Sequence, residues 1–146
     1  MNGYSNGYNA YKEVGVKTAS QGKLIVMLYE GAVKHLDEAI SLIDENGKID
    51  ASRIESYGNH LQKVQDIITE LQCSLDMEKG KDIAKNLMSL YIFFNKELMQ
   101  ANINHDKKIL SDIRKMLSDL KDSWVVAANT ASAQGNQDRP SISING

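Results

Sequence analysis

Residues Asn86–Asn102 read Asn-Leu-Met-Ser-Leu-Tyr-Ile-Phe-Phe-Asn-Lys-Glu-Leu-Met-Gln-Ala-Asn. The stretch contains neither Gly nor Pro, and its apolar residues recur at helical spacing. Ile83, Leu87, Leu90, Phe94, Leu98 and Ala101 step by three and four, which aligns them on one face of a helix. Apolar residues are left over once that stripe is drawn. Met88, Ile92, Met99 and Ile103 step by four, seven and four, and at about 100° per residue they fall on the opposite face. A surface helix would carry charge there. This helix is apolar on two sides, so something must cover the second.

Outward from that stretch the chain divides into further helices. Thr18 and Ser20 are N-cap residues for a first helix over about 21–45. Leu24, Leu28, Ala32, Leu36, Ala39 and Ile43 form its main stripe. Val26, Val33 and Ile40 recur every seven residues on a flank, with Tyr29 beside them. Asn46-Gly47 stops this helix, since Gly accepts positive φ without strain. Asp50 or Ser52 can cap a second helix over about 51–75. There Ile54, Tyr57, Leu61, Val64, Ile68, Leu71 and Leu75 step 3-4-3-4-3-4, a bundle seam. Asp76 or Asp82 can cap the third helix, over about 80–104, and Asp106 a fourth over about 107–131. Ile109, Ile113, Met116, Leu117, Leu120, Trp124 and Ala128 form the fourth stripe. Helices of about 25 residues, each near 38 Å, joined by short links, predict an all-α, antiparallel up-down-up-down four-helix bundle. Residues 1–19 read as an N-terminal arm, flexible or docked, 20–133 as the bundle, and 134–146 as a disordered tail.

Composition narrows the function. A formal charge of −2 gives no bulk attraction to nucleic acid or anionic membrane. In the fourth helix, Lys107, Lys108, Arg114, Lys115 and Lys121 are offset by Asp106, Asp112, Asp119 and Asp122, a salt-bridged surface and not a basic stripe. No run approaches the roughly 20 apolar residues of a membrane span. The N-terminus has no basic and apolar leader, and Cys73 stands alone, which suits a reducing, cytoplasmic compartment.

Catalytic and metal patterns are missing. A di-iron bundle needs Glu-x-x-His on two helices. Three positions before His35, His60 and His105 stand Ala32, Tyr57 and Asn102. A single Cys excludes a Cys-rich zinc site. There is no His-Glu-x-x-His, Walker loop, Gly-x-Gly-x-x-Gly or Gly-x-Ser-x-Gly. His35 reads as a packed or boundary residue, and His60 and His105 as surface and link residues. No enzyme, cofactor or metal is expected. What the residues leave open is the surplus apolar surface. It is internal to the fold, or covered by the Tyr-bearing arm, or a groove for an amphipathic partner segment, or the seam of a homodimer.

Several segments resemble the FliS family of flagellin export chaperones. They are Asn9-Ala-Tyr11, Thr18-Ala-Ser20, Leu24-Ile-Val-Met-Leu28-Tyr-Glu-Gly-Ala32, Leu71-Gln-Cys-Ser-Leu75-Asp-Met-Glu-Lys-Gly80, Ile83-Ala-Lys-Asn-Leu-Met-Ser-Leu-Tyr91, Leu98-Met-Gln-Ala-Asn102 and Trp124. The resemblance covers about residues 9–128. The family usually has Pro where Gln21 stands, and often Gly-Gly where this chain has Gly80-Lys81, a change expected to be minor. The resemblance implies an antiparallel bundle that binds the disordered C-terminal segment of flagellin in the cytoplasm. It would prevent early polymerisation and help present the client to the flagellar type III export gate. Tyr11 matches an arm residue that covers or borders the client groove in that family. Leu87, Leu90, Tyr91, Leu98 and Asn102 match its third-helix pattern, with the leucines expected in the core. Helix phase adds Val26, Val33, Ile40, Met88, Ile92, Met99 and Ile103 as exposed partner-binding candidates. Oligomeric state is open between monomer and homodimer. The reading that competes with the chaperone is a non-catalytic bundle that self-associates through the same surface.

Overall fold

A computed structural model describes residues 19–138, with side chains over 21–130. Four long helices make up the fold: α1 (Ala19–Ser41), α2 (Ile54–Ser74), α3 (Met77–Asn104) and α4 (Lys107–Asp138). A 3-10 turn, Ala51–Arg53, precedes α2. Among the described residues the only extended pairing is an isolated bridge between Ile43 and Ile49.

Facing pairs give the helix directions. Gly31 and His35 of α1 lie against Ile67 and His60 of α2. Tyr57, Gln65 and Gln72 of α2 meet Ala101, Asn95 and Met88 of α3. Lys107 and Arg114 of α4 meet Ile43 and Asp37 at the α1 end. In every case one number rises as the other falls, so these neighbours are antiparallel. Packing is densest between α1 and its neighbours α4 and α2, and among successive helices it is sparsest between α3 and α4.

Local chemistry sets the links. The α1 helix stops at Ser41, short of the expected end, because Asp44 captures the following backbone. Its carboxylate accepts from the Asn46 and Lys48 amides at 2.8 and 2.9 Å, and Gly47 takes φ 75°. Ser20 lies inside the first turn of α1 and does not precede it. Asp50 makes no side-chain cap to α2, whose entry is instead the 3-10 turn. Asp76 does cap α3, accepting from the Glu78 and Lys79 amides. Asp106 caps α4 through the Ile109 amide at 3.1 Å. Lys81 interrupts α3 with φ 48° and ψ −124°. That backbone region is close to glycine-only. Lys81 is therefore a strained position, where the sequence led us to expect only a minor effect. The α4 helix continues to Asp138, past the expected end near Ala131.

The core holds most of the expected stripes, with shifts on α1. Ile25, Tyr29, Ala32, Leu36, Ala39 and Ile43 are its buried line, and Leu24 is 55% exposed. Tyr29 belongs to the core and not to the flank. On α2, Tyr57, Leu61, Val64, Ile68 and Leu71 are buried, whereas Ile54 at the helix start is exposed. Leu98 of α3 is fully buried, and Leu87 and Leu90 pack on the core. Three core tyrosines must place their hydroxyls, since an unbonded buried hydroxyl costs about 1–3 kcal/mol. Tyr57 donates to the Ala101 carbonyl at 2.7 Å, which also accepts from the His105 amide at the end of α3. The Tyr29 and Tyr91 hydroxyls bond each other, and Trp124 donates to Tyr29. One polar cluster thereby joins α1, α3 and α4.

Candidate functional site: the outer face of α3

The core side of α3 is fixed by Ala84, Tyr91, Phe94, Leu98 and Ala101, all buried. At 100° per residue, Met88, Ile92, Met99 and Ile103 lie well away from that side. Ile92, Met99 and Ile103 are 55%, 58% and 69% exposed. A β-branched or thioether side chain in water forfeits the gain of burial, about 1.5–3 kcal/mol when complete. Three of them within three turns of one helix make an apolar strip. Exposed Lys85 and Lys96 share its azimuth, and their methylene stems extend the apolar surface while their ammonium groups stay in water.

Met88 departs from expectation. It is half-buried, and the Gln72 side-chain amide of α2 lies 3.7 Å from its sulfur. It forms the inner wall of the strip, where α3 meets α2. Beside it the Gln65 side chain donates to the Asn95 carbonyl at 3.4 Å. The strip therefore follows the α2 side of α3. Ile54, exposed at the start of α2, lies at the same end of the bundle as Ile103, since Tyr57 bonds the Ala101 carbonyl there.

Val26, Val33 and Ile40 do not form an open face. All three are half-buried and packed on the core. By phase they stand on the side of α1 that carries Asp37, whose carboxylate takes two hydrogen bonds from Arg114 of α4 at 2.8 and 3.2 Å. That flank is the α1–α4 seam. The surplus stripes of α1 and α3 consequently sit at different seams and do not meet in one groove. Tyr11 lies outside the described residues.

Other exposed apolar side chains escaped the sequence reading. Phe93 is 43% exposed on the opposite edge of α3, toward α4. Leu24, Met27 and Met77 are exposed where α1 and α3 begin. The run Leu24–Tyr29 has an apolar residue at every position, so periodicity could not say which of them faces out. His60 also differs from its expected surface role. Its Nδ1 lies 3.1 Å from Nδ1 of His35, and its Nε2 lies 3.1 Å from the Glu38 carboxylate.

Two features define the class. The molecule is an all-helical bundle, and its most prominent surface feature among the described residues is an exposed apolar helix face bordered by lysines. A face of this kind is the type of surface on which amphipathic segments dock. The family model described as "Flagellar protein FliS" matches residues 4–131, and the chain belongs to that family. It is 36% identical to the flagellar secretion chaperone FliS of Vibrio cholerae, over 79% of this chain and 83% of the relative. It is 35% identical to the protein of that name from Salmonella typhimurium, over 89% of this chain and 96% of the relative. The Bacillus subtilis protein of that name is 30% identical, over 82% of this chain and 84% of the relative. The family is one of flagellar secretion chaperones, not of enzymes. No helix among the described residues is long and apolar enough to cross a membrane.

Proposed function

We propose that this protein is a cytoplasmic chaperone for flagellin. It binds the disordered C-terminal segment of the newly made subunit, prevents polymerisation before export, and helps deliver it to the type III export gate. The observation that carries this reading is the exposed strip Ile92–Met99–Ile103 on a member of the flagellar secretion chaperone family. An amphipathic client segment would order against it, burying the half of each side chain that is still in water. Ordering entropy offsets part of that gain, which favours a client that can be released again. Met88 would form the inner wall, and Tyr11 would border the groove from the N-terminal arm. Val26, Val33 and Ile40 would engage only a client long enough to reach the α1–α4 seam.

Calorimetric titration with a peptide from the C-terminus of flagellin tests the proposal. Saturable binding at micromolar peptide is expected. Ile92→Glu and Met99→Glu should each weaken it about 3- to 12-fold, since about half of a 1.5–3 kcal/mol burial term is withheld from the client. Absence of saturable binding, together with sedimentation as a dimer that Ile92→Glu converts to monomer, would favour self-association as the role of this face.

A further inference from the structure

We propose that His35 and His60 form a divalent transition-metal site, best suited to Zn²⁺, that ties α1 to α2, with Glu38 as its orienting carboxylate. The two histidines stand 25 residues apart on different helices, so no spacing motif announces them. Their Nδ1 atoms are 3.1 Å apart. Two nitrogens each about 2.05 Å from a zinc ion and 3.1 Å apart subtend about 98° at the metal, close to a tetrahedral angle. His35, Glu38 and His60 each offer a ligand atom within 4.8 Å of the others.

Protonation suits this role. The Glu38 carboxylate, 3.1 Å from Nε2 of His60, holds a proton on that nitrogen. This leaves Nδ1 of His60 as a lone pair, which accepts from Nδ1–H of His35. For both Nδ1 atoms to bind metal, His35 moves its proton to Nε2, a change of tautomer within one neutral ring, and the two rings turn so that their lone pairs meet the ion about 41° off the N–N line. The Nδ1–Nδ1 contact of 3.1 Å itself requires that one of the two facing nitrogens carry no proton. A histidine ligand whose second nitrogen donates to a carboxylate is the usual arrangement in protein zinc sites. Lys34 and Lys63 lie near enough to disfavour the ion somewhat, and Glu38 opposes them. His60 and Glu38 retain 22% and 44% side-chain exposure, so water can complete the coordination shell.

The test is calorimetric titration of the tag-free full chain with ZnCl₂, paralleled by the visible spectrum of the Co²⁺ complex. One saturable equivalent per chain and a raised melting temperature are expected. His35→Gln and His60→Gln should weaken binding at least tenfold, and Glu38→Gln by about 10–100-fold. His105→Gln and Cys73→Ser should leave it unchanged. Circular dichroism checks each fold. If a histidine variant melts, the half-exposed Glu38→Gln decides. Lack of saturable uptake, or zinc affinity unaltered in both His60→Gln and Glu38→Gln, would overturn the proposal.

Discussion

The Tyr29–Tyr91–Trp124 cluster permits a quantitative test of how the bundle is held. Tyr29 and Tyr91 are 0% and 1% exposed, so water cannot replace a lost partner. In Tyr91→Phe, the Tyr29 hydroxyl keeps the hydrogen bond from Trp124. The cost should be about 1–2 kcal/mol, the upper range for one buried hydrogen bond. In Tyr29→Phe, the Tyr91 hydroxyl loses its partner in a site closed to water, and Trp124 loses the Tyr29 oxygen. An orphaned buried hydroxyl puts the loss near 2–3 kcal/mol, the upper part of the range for an unsatisfied buried group. The double variant removes the Tyr91 hydroxyl as well, so no phenol is left without a partner. It should be no less stable than Tyr29→Phe alone. The cycle therefore predicts a coupling of at least about 1 kcal/mol, well above the roughly 0.5 kcal/mol expected of independent sites. Urea unfolding followed by circular dichroism, with unchanged slope across the series, measures each term. Additive losses, or Tyr91→Phe costing more than Tyr29→Phe, would refute the assignment of Tyr29 as the shared partner.

The same tyrosines should make the fold sensitive to alkali. Burial pushes the pKa of Tyr29 and of Tyr57 up to about 12, and that of Tyr91 upward as well. Above pH 10 the unfolded chain loses phenolic protons that the folded chain retains, so stability falls as pH rises from 10 toward 12. At pH 11 the loss should be about 1.4 kcal/mol each for Tyr29 and Tyr57, read from urea midpoints between pH 9 and 11. A midpoint flat across that range contradicts the burial argument. Lys81→Gly should raise stability by about 1 kcal/mol, by relieving a positive φ that a side chain resists. A lower melting temperature would show that the Lys81 side chain contributes more than its backbone costs. Leu98→Ala should cost about 2–5 kcal/mol, whereas Ile103→Ala should change unfolding by less than about 0.5 kcal/mol. Equal effects would mean that the two faces of α3 have been mistaken for one another.

Why some of this was legible in the sequence and some was not comes down to competition among apolar residues. On α2, apolar residues stand singly among polar ones except at Ile67–Ile68, and the 3-4 stepping identified the buried Tyr57, Leu61, Val64, Ile68 and Leu71 while overreaching at Ile54, which is exposed at the helix start. On α1, the unbroken run Leu24–Tyr29 offers several helical phases of similar hydrophobicity. The choice of Ile25 and Tyr29 over Leu24 follows from the hydroxyl of Tyr29, which finds Tyr91 and Trp124 only when it points inward. Those partners lie on α3 and α4, beyond the reach of any local pattern. Asp76 and Asp106 were readable as caps because a cap acts within one turn. The strain at Lys81 was hidden, since residue identity alone does not report φ. The pairing of His35 with His60 depends on the register of α1 against α2, which two periodic stripes leave undetermined by a turn.

The way α3 is fastened bears on why its outer face can stay apolar. Beside its buried apolar side chains, α3 makes polar and specific contacts: Tyr57 to the Ala101 carbonyl, Gln65 to the Asn95 carbonyl, Gln72 to the Met88 sulfur, and Tyr91 to Tyr29. Its packing on α4 is the sparsest between successive helices. Directional bonds hold a helix at one rotation, whereas apolar contact alone would let it roll to bury Ile92 and Met99. A roll of about 100° would exchange Phe94 for its exposed neighbour Phe93, at little cost in apolar area. It would also break the Tyr91 and Ala101 hydrogen bonds, and leave buried hydroxyls unpaired at about 1–3 kcal/mol each. The buried polar groups of this core thus specify which side of α3 meets water. They keep an apolar strip exposed that hydrophobic collapse by itself would remove.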